Sequence, residues 1–336
     1  MSSYPELTTW LREQAGDDAM LQTVADAIGR MATAARDVSR MVARGPLNED
    51  ASGIPWRELF NYFDNKASEL FSSALAGAPL ACVAREKGGF FEGVAGGDVC
   101  LAIDSLNGST NIDANTPVGS FFSFMPGSGE DAFLRPGREQ VAAGYFIYGP
   151  RTAMAMTFGK GTQIATMDPE TGVFHLVAEA KELPEKYERE YATNASNYRY
   201  WDPAIRAFMD DLIDGAEGPR EVDYSMRWAA SLAAETSRIL NRGGIFLYPN
   251  DNRPGHLEGR LKRIFHVNPV AFVIEQAGGM ATDGRVRLLD QAAERMDQRA
   301  PLIFGTPSEV ERVRRYYDLP MGGMRSPLFS HRGLFR

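Results

Sequence analysis

Ten residues, Asp104-Ser-Leu-Asn107-Gly-Ser-Thr-Asn111-Ile-Asp113, hold the densest chemistry in the chain: an acid, a glycine turn and two hydroxyls follow directly on an apolar run. Val99 to Ile103 reads as a buried strand. Behind it Gly108 lets the backbone approach an anion, and Ser109 and Thr110 offer hydroxyls and amides, which are the ingredients of a phosphate site. Asp104, at the strand end, is positioned to hold a divalent cation against that phosphate. An Asn-Gly-Ser-Thr run standing alone would be an ordinary polar turn.

The elements that must carry these residues are legible in the spacing of apolar positions. Asp18 to Ala43 has them at helical intervals (Leu21, Val24, Ile28, Met31, Ala35, Val38, Met41, Val42) and predicts an amphipathic helix, with a second over Phe63–Leu75. From Val99 to Leu176 the period shortens to that of strands, broken by Gly127, Gly144, Gly159 and Asp168-Pro169, which predicts a mixed sheet. Beyond the charged stretch Glu179–Arg189, helices are expected over Pro203–Ile213, Trp228–Asn241 and Pro269–Gly278, and strands over Gly244–Tyr248 and Leu261–Phe265. The result is a layered α/β chain divided into an N-terminal domain (10–185), a C-terminal domain (186–320) and a short basic tail (321–336).

Bulk properties bound the function. With 336 residues and 44% apolar content the chain can bury one large core or two coupled ones. A net charge of −8 argues against a nucleic-acid partner and leaves attraction of an anionic substrate to local cations. No apolar run is long enough to span a bilayer, and Met-Ser-Ser-Tyr-Pro lacks the segments of a signal peptide, so no membrane partner and a cytoplasmic location are expected. Cys82 and Cys100 show no pairing pattern and read as reduced core cysteines.

The stretch 104–113 resembles the Asp-Pro-Leu-Asp-Gly-Ser-Ser-Asn-Ile-Asp signature of class 1 fructose-1,6-bisphosphatases, members of the lithium-sensitive, metal-dependent phosphatase superfamily. Further blocks match in order: Val141–Pro150, Asp168–Phe174, Gly243–Pro249, Asn268–Phe272 and Glu275–Gly284, so that the resemblance runs from about Trp10 to Tyr317. It implies an αβαβα sugar-phosphatase fold, with a mixed N-terminal sheet and a smaller C-terminal sheet. It also implies hydrolysis of fructose 1,6-bisphosphate to fructose 6-phosphate, in gluconeogenesis or the Calvin cycle.

Carried over residue by residue, the resemblance makes Glu86 and Asp104 bridging metal acids and the Leu106 carbonyl a backbone ligand, with Glu58 and Asp64 supplied by a mobile loop. Three positions depart from the family. Asn107 replaces the second aspartate of the signature, His266 stands where a metal-binding glutamate is usual, and Lys87 follows Glu86 in place of a second glutamate. The implied Mg2+ site is thereby thinned, with Asn107 and His266 able to complete an altered shell that takes Mn2+ or Zn2+, or with Lys87 pairing directly with phosphate in a metal-poor site. Gly108, Ser109, Thr110, Asn107 and Asn111 would cradle the leaving phosphate.

At the other end of the substrate, Asn194 (assisted by Asn197), Tyr248 and Arg227 match sugar-phosphate contacts, and Arg260 stands in for the family's substrate lysine. Arg227 matches an arginine that reaches into a neighbouring subunit, which implies a homo-oligomer, a dimer or the family's usual tetramer. Asp98-Val99 sits where animal members carry a Lys-Tyr pair that contacts AMP, and an aspartate there would repel the nucleotide. Two readings of the activity follow: a metal-assisted sugar-bisphosphate phosphatase, or a sugar-phosphate-binding pseudoenzyme or homologue recruited to different chemistry because Lys87, Asn107 and His266 replace family carboxylates; a third, a superfamily relative acting on an inositol or nucleotide phosphate, is opposed by the extended match of the sugar-phosphate half.

Overall fold

The computed structural model describes residues 4–184 and 189–318. Helix α1 (Leu7–Ala15) and the long α2 (Ala19–Arg44) come first, followed by α3 (Leu59–Leu75). Asp18 ends the linker into α2 by accepting a hydrogen bond from the Leu21 amide at 3.0 Å, which satisfies a donor that the first helical turn leaves open. One face of α2 is buried at Val24, Ile28, Met31, Ala35 and Val38, as the helical spacing requires.

An eight-stranded sheet follows: β1 (Cys82–Arg85), β2 (Gly89–Glu92), β3 (Val99–Asn107), β4 (Val118–Pro126), β5 (Ala142–Tyr148), β6 (Thr152–Thr157), β7 (Thr162–Met167) and β8 (Phe174–Ala180), in the order 2-1-3-4-5-6-7-8. It is mixed, because β1 runs parallel to β3 while every other pair is antiparallel. A short helix α4 (Asp131–Leu134) interrupts it. The second sheet has the order 10-9-11-15-13 and is built from β9 (Glu190–Thr193), β10 (Ser225–Met226), β11 (Ile245–Tyr248), β13 (Met280–Thr282) and β15 (Leu302–Gly305). A two-stranded piece, β12 (Leu261–Lys262) with β14 (Arg299–Ala300), stands apart. The remaining helices are α5 (Pro203–Asp214), α6 (Leu232–Arg242), α7 (Asn268–Gln276) and α8 (Pro307–Asp318).

Alternation along the strands sorts the layers. On β4, Phe122 and Phe124 enter a core with α1, α2 and α3, while Phe121 enters another with α6 and α7. The second sheet shares that middle core through Phe246 and Phe304, and its far side packs Ile245, Leu247 and Ile303 on Phe208 of α5 and Val310 of α8. The order helix, sheet, helix, sheet, helix is the αβαβα stack that the resemblance implied.

Several expectations are corrected. Cys82 and Cys100 are joined in a disulfide: the parallel register of β1 and β3 sets them opposite each other, Cα to Cα 4.7 Å, a pairing their spacing of 18 residues did not signal. The expected strand Leu261–Phe265 stops at Lys262, and Arg263–Val267 forms a π-helical turn that runs into α7. Helix α6 begins at Leu232 rather than Trp228, because Ala230 has a positive φ of 52° and Ser231 caps the helix by accepting from the Ala234 amide. Helix α3 starts four residues before Phe63. The boundary at residue 185 and the tail from 321 lie outside the described residues.

Gly119 shows how tightly β4 seats α6. A Cβ there would lie 2.5 Å from the Ala233 Cβ and 2.6 Å from the Phe146 carbonyl oxygen, whereas one on Gly29 of α2 would meet nothing within 4 Å. In urea unfolding, Gly119→Ala should cost about 2–3 kcal/mol by forcing the layers apart. Gly29→Ala should instead stabilise by about 0.5–1 kcal/mol through helix propensity.

Candidate active site

Strand β3 carries the signature to the sheet end, and a break in register between Asp104 and Asn107 re-aims the chain there. Ser120 on β4 holds this bulge by donating to the Ser105 carbonyl at 2.6 Å, and Tyr148 lies 2.9 Å from the same hydroxyl. Gly108 then adopts a left-handed φ of 78°, which glycine reaches without strain, and Ser109–Asn111 curl into a single 3-10 turn. Ser109 is buried, Thr110 is exposed, and Asn111 donates to the Ala230 carbonyl at 3.0 Å, tying the signature to the segment that contains Arg227 and Trp228.

Asp104 is 3% exposed and nearly saturated with donors. Its Oδ1 accepts from the Leu106 amide at 3.2 Å; its Oδ2 accepts from Asn107 Nδ2 at 3.0 Å and from His266 Nε2 at 2.8 Å. The His266 tautomer follows from the network: the Lys262 amide donates to Nδ1 at 3.1 Å, so the ring proton sits on Nε2. Both ring nitrogens of His266 are therefore engaged, which removes it as a nitrogen donor to an ion. Burial by itself would raise Asp104; the hydrogen bond from His266, helped by Asn107 and Lys87, holds it below the usual carboxylate range.

The other two acids each have an ammonium partner. Lys87 Nζ donates to Asp64 Oδ2 at 2.5 Å. Lys262 Nζ is 2.8 Å from Glu86 Oε1 and donates to the Glu86 carbonyl at 3.0 Å. Asp64 is nevertheless raised, since burial outweighs Lys87, and Lys87 is raised too, its burial being outweighed by the hydrogen bond and charge of Asp64. Glu58 is exposed at the turn before α3 and joins none of these groups. Lys262 was not singled out in the sequence; its signal is the π turn after it, which no periodicity announces.

Two buried oxygens, Asp64 Oδ1 and Glu86 Oε2, have no hydrogen-bond partner. Unpaired carboxylate oxygens of this kind suit a hard cation. Among the described residues no three acids, histidines or cysteines stand together in a way that could hold a metal ion. With both Asp104 oxygens engaged, the open carboxylate oxygens left to an ion are Asp64 Oδ1 and Glu86 Oε2, too few for several ions.

Two of the expected sugar-phosphate residues, Asn197 and Arg260, gather around Asp251, which sequence reasoning passed over. Arg253 donates to Asp251 Oδ2 at 2.5 Å and to Asn197 Oδ1 at 2.8 Å, and Arg260 lies 3.6 Å from Asp251 Oδ2. Arg253 also stacks over Tyr200, 4.3 Å from its ring centre. One buried carboxylate thereby holds two guanidiniums side by side, a forked arrangement suited to phosphate. Asn194 caps its own 3-10 turn through Ser196, and Tyr248 stacks on Trp228. Arg227 is exposed and lies 3.5 Å from Glu190, away from this group. Arg260, in the bend just before β12, faces Asp251, and Lys262, two residues on, faces Glu86, so this short stretch joins the cation cluster to the acid cluster.

The model of the fructose-1-6-bisphosphatase N-terminal domain matches residues 63–179, and that of the C-terminal domain residues 183–318. The class 1 fructose-1,6-bisphosphatase of Paracoccus denitrificans is 46% identical over 321 residues, covering 94% of each chain. That of Rhizobium meliloti is 45% identical, covering 96% of this chain and 95% of the relative. Among solved structures, Leishmania major fructose-1,6-bisphosphatase in holo form superposes with a TM-score of 0.82 at 27% identity, covering 94% of this chain and all of the other.

The Asp251 clamp predicts an acid limb. Hydrogen bonds from Arg253 hold its carboxyl down at about 2, with burial opposing and Arg260 assisting. A lowered carboxyl contributes stability that is complete above its ordinary value of about 3.9 and fades as pH falls through the folded one. Asp251→Asn should cost about 2 kcal/mol at pH 7. In urea unfolding the gap to the parent should hold down to pH 5 and close between pH 4 and 2.

Proposed function

We infer that this chain, which belongs to the fructose-1,6-bisphosphatase family, hydrolyses fructose 1,6-bisphosphate to fructose 6-phosphate and phosphate. The observation that carries this reading is the junction of Arg260 and Lys262, which sets a paired-guanidinium pocket next to a buried acid cluster at the end of β3. A substrate with a phosphate at each end has a matching partner at each end of that span.

In this reading the 1-phosphate lies against the Gly108, Ser109 and Thr110 backbone and hydroxyls, with Asn107 and Asn111 at its sides and Lys87 as a point charge. The distal phosphate is held by Arg260 and Tyr248, with Asn194 and Asn197 beside them. Asp64, raised by burial, is the group suited to take a proton from the attacking water. Glu58 enters only through a movement of the turn before α3. The family suggests dependence on a divalent metal, and a bound ion would supply polarisation of the phosphoryl oxygens and acidification of water, held by Glu86, Asp104 and the Leu106 carbonyl. With both His266 nitrogens engaged, the remaining donors are hard oxygens, which favours Mg2+ or Mn2+ over Zn2+.

We further read residues 10–185 as supplying most of the acid cluster and 186–320 as supplying the sugar-phosphate pocket, with His266 and Lys262 reaching back. Arg227, exposed and turned from its own pocket, supports an oligomer in which it serves a neighbouring subunit. No helix among the described residues is long and apolar enough to cross a membrane. A cytoplasmic location fits a sugar-phosphate enzyme.

Phosphate release from fructose 1,6-bisphosphate, assayed with Mg2+, Mn2+ and Zn2+ in turn, tests the reading. Turnover should be highest with Mg2+ or Mn2+, fall at least 100-fold in Asp104→Asn, and show a KM raised about tenfold in Arg260→Ala with a smaller change in kcat. No turnover with any of the three ions, while fructose 6-phosphate still gives calorimetric heat, would leave a sugar-phosphate-binding protein and end the hydrolase reading.

A further inference from the structure

Three carboxylates lie around the end of β3 without closing into a metal cage, and the chain answers two of them with ammonium groups before any ion arrives: Asp64 with Lys87 and Glu86 with Lys262. His266 adds no charge in the tautomer that its hydrogen bonds require, since Nδ1 is an acceptor. One negative charge is left over, less than a single divalent ion brings. A second and third ion would enter a site already positive, at separations where like charges repel strongly.

We propose that Lys87 and Lys262 are built-in cations that bind phosphate oxygens directly, so that the site takes no more than one divalent ion and holds phosphate even when that ion is absent. The proposal rests on the sugar-phosphate reading above but makes a separate claim about where the positive charge comes from. Donor counts allow it. An ammonium has three donors; Lys87 spends one on Asp64 and Lys262 two on Glu86, which leaves three for an incoming phosphate. Access differs between the two: the Lys87 side chain is 60% exposed, whereas Lys262 is 24% exposed and lies above the Phe265 ring, 5.8 Å from its centre. Lys262 is thus oriented by its surroundings, and Lys87 approaches from the open side. The unpartnered oxygens of Asp64 and Glu86 mark where the one ion would add its charge.

The test uses the full chain and two probes. Inorganic phosphate is titrated calorimetrically into protein kept in EDTA, and Mn2+ bound per chain is counted by electron paramagnetic resonance at saturating phosphate. Phosphate should bind without metal, and binding should weaken at least tenfold in Lys262→Met and in Lys87→Met, with Lys262→Arg restoring it. Circular dichroism and thermal melting of each variant separate lost binding from lost fold. The Mn2+ count should not exceed one. Two or more ions per chain, or phosphate binding in EDTA that the lysine variants leave unchanged, or no phosphate binding in EDTA, would overturn the proposal. Turnover together with two ions would sink this inference and leave the hydrolase standing, whereas metal-free phosphate binding with one ion and no turnover would do the reverse.

Discussion

A carboxylate buried at the end of β3 sets the terms for the whole site. Asp104 cannot keep its charge cheaply when buried opposite Phe121, so the fold must bring donors to it. It does so from two directions: the bulge after β3 turns Asn107 and the Leu106 amide back on Asp104, and the π-helical turn before α7 delivers His266 from 162 residues away. Each device is an irregularity in an otherwise regular element. Bulges and π turns cost regular hydrogen bonds, and here they are what orients the donors.

The π turn has a second consequence. By ending β12 after two residues it leaves Lys262 with its amide on His266 and its ammonium on Glu86, so a single residue ties Asp104, by way of His266, to Glu86. Arg260, two residues earlier, faces Asp251 and the guanidinium pair. The acid end and the cationic end are therefore only two residues apart in the chain, and β14 anchors the stretch at Leu261 and Lys262.

Two ammonium groups balance two of the three carboxylates around the end of β3. Ammonium groups are strongly hydrated point charges that can be exchanged between carboxylate and phosphate partners at little cost, while an ion held by three or four acids stays where it is. A lysine-balanced cluster is compact in the absence of ligand, and the raised Asp64 beside Lys87 keeps a proton acceptor within it.

Much of this was legible in the linear chain. Apolar periodicity marked α2, α5 and the strands from β3 to β8, because each buries a face whose repeat is its own; Asp18 marked a helix start, and the Gly-Ser-Thr run marked the tight turn after β3. The substitutions at 87, 107 and 266 were visible as residue types. What they touch was not. Whether Lys87 meets solvent, phosphate or Asp64, and whether His266 offers a lone pair or a proton, depends on partners 23 and 162 residues away and on a helical turn without sequence periodicity. The disulfide and the Asp251 clamp were hidden for the same reason: a strand register and a loop crossing decide which groups lie within 4 Å, and neither leaves a local pattern. Local chemistry is written in residue order, whereas charge compensation is settled only when distant segments share one volume.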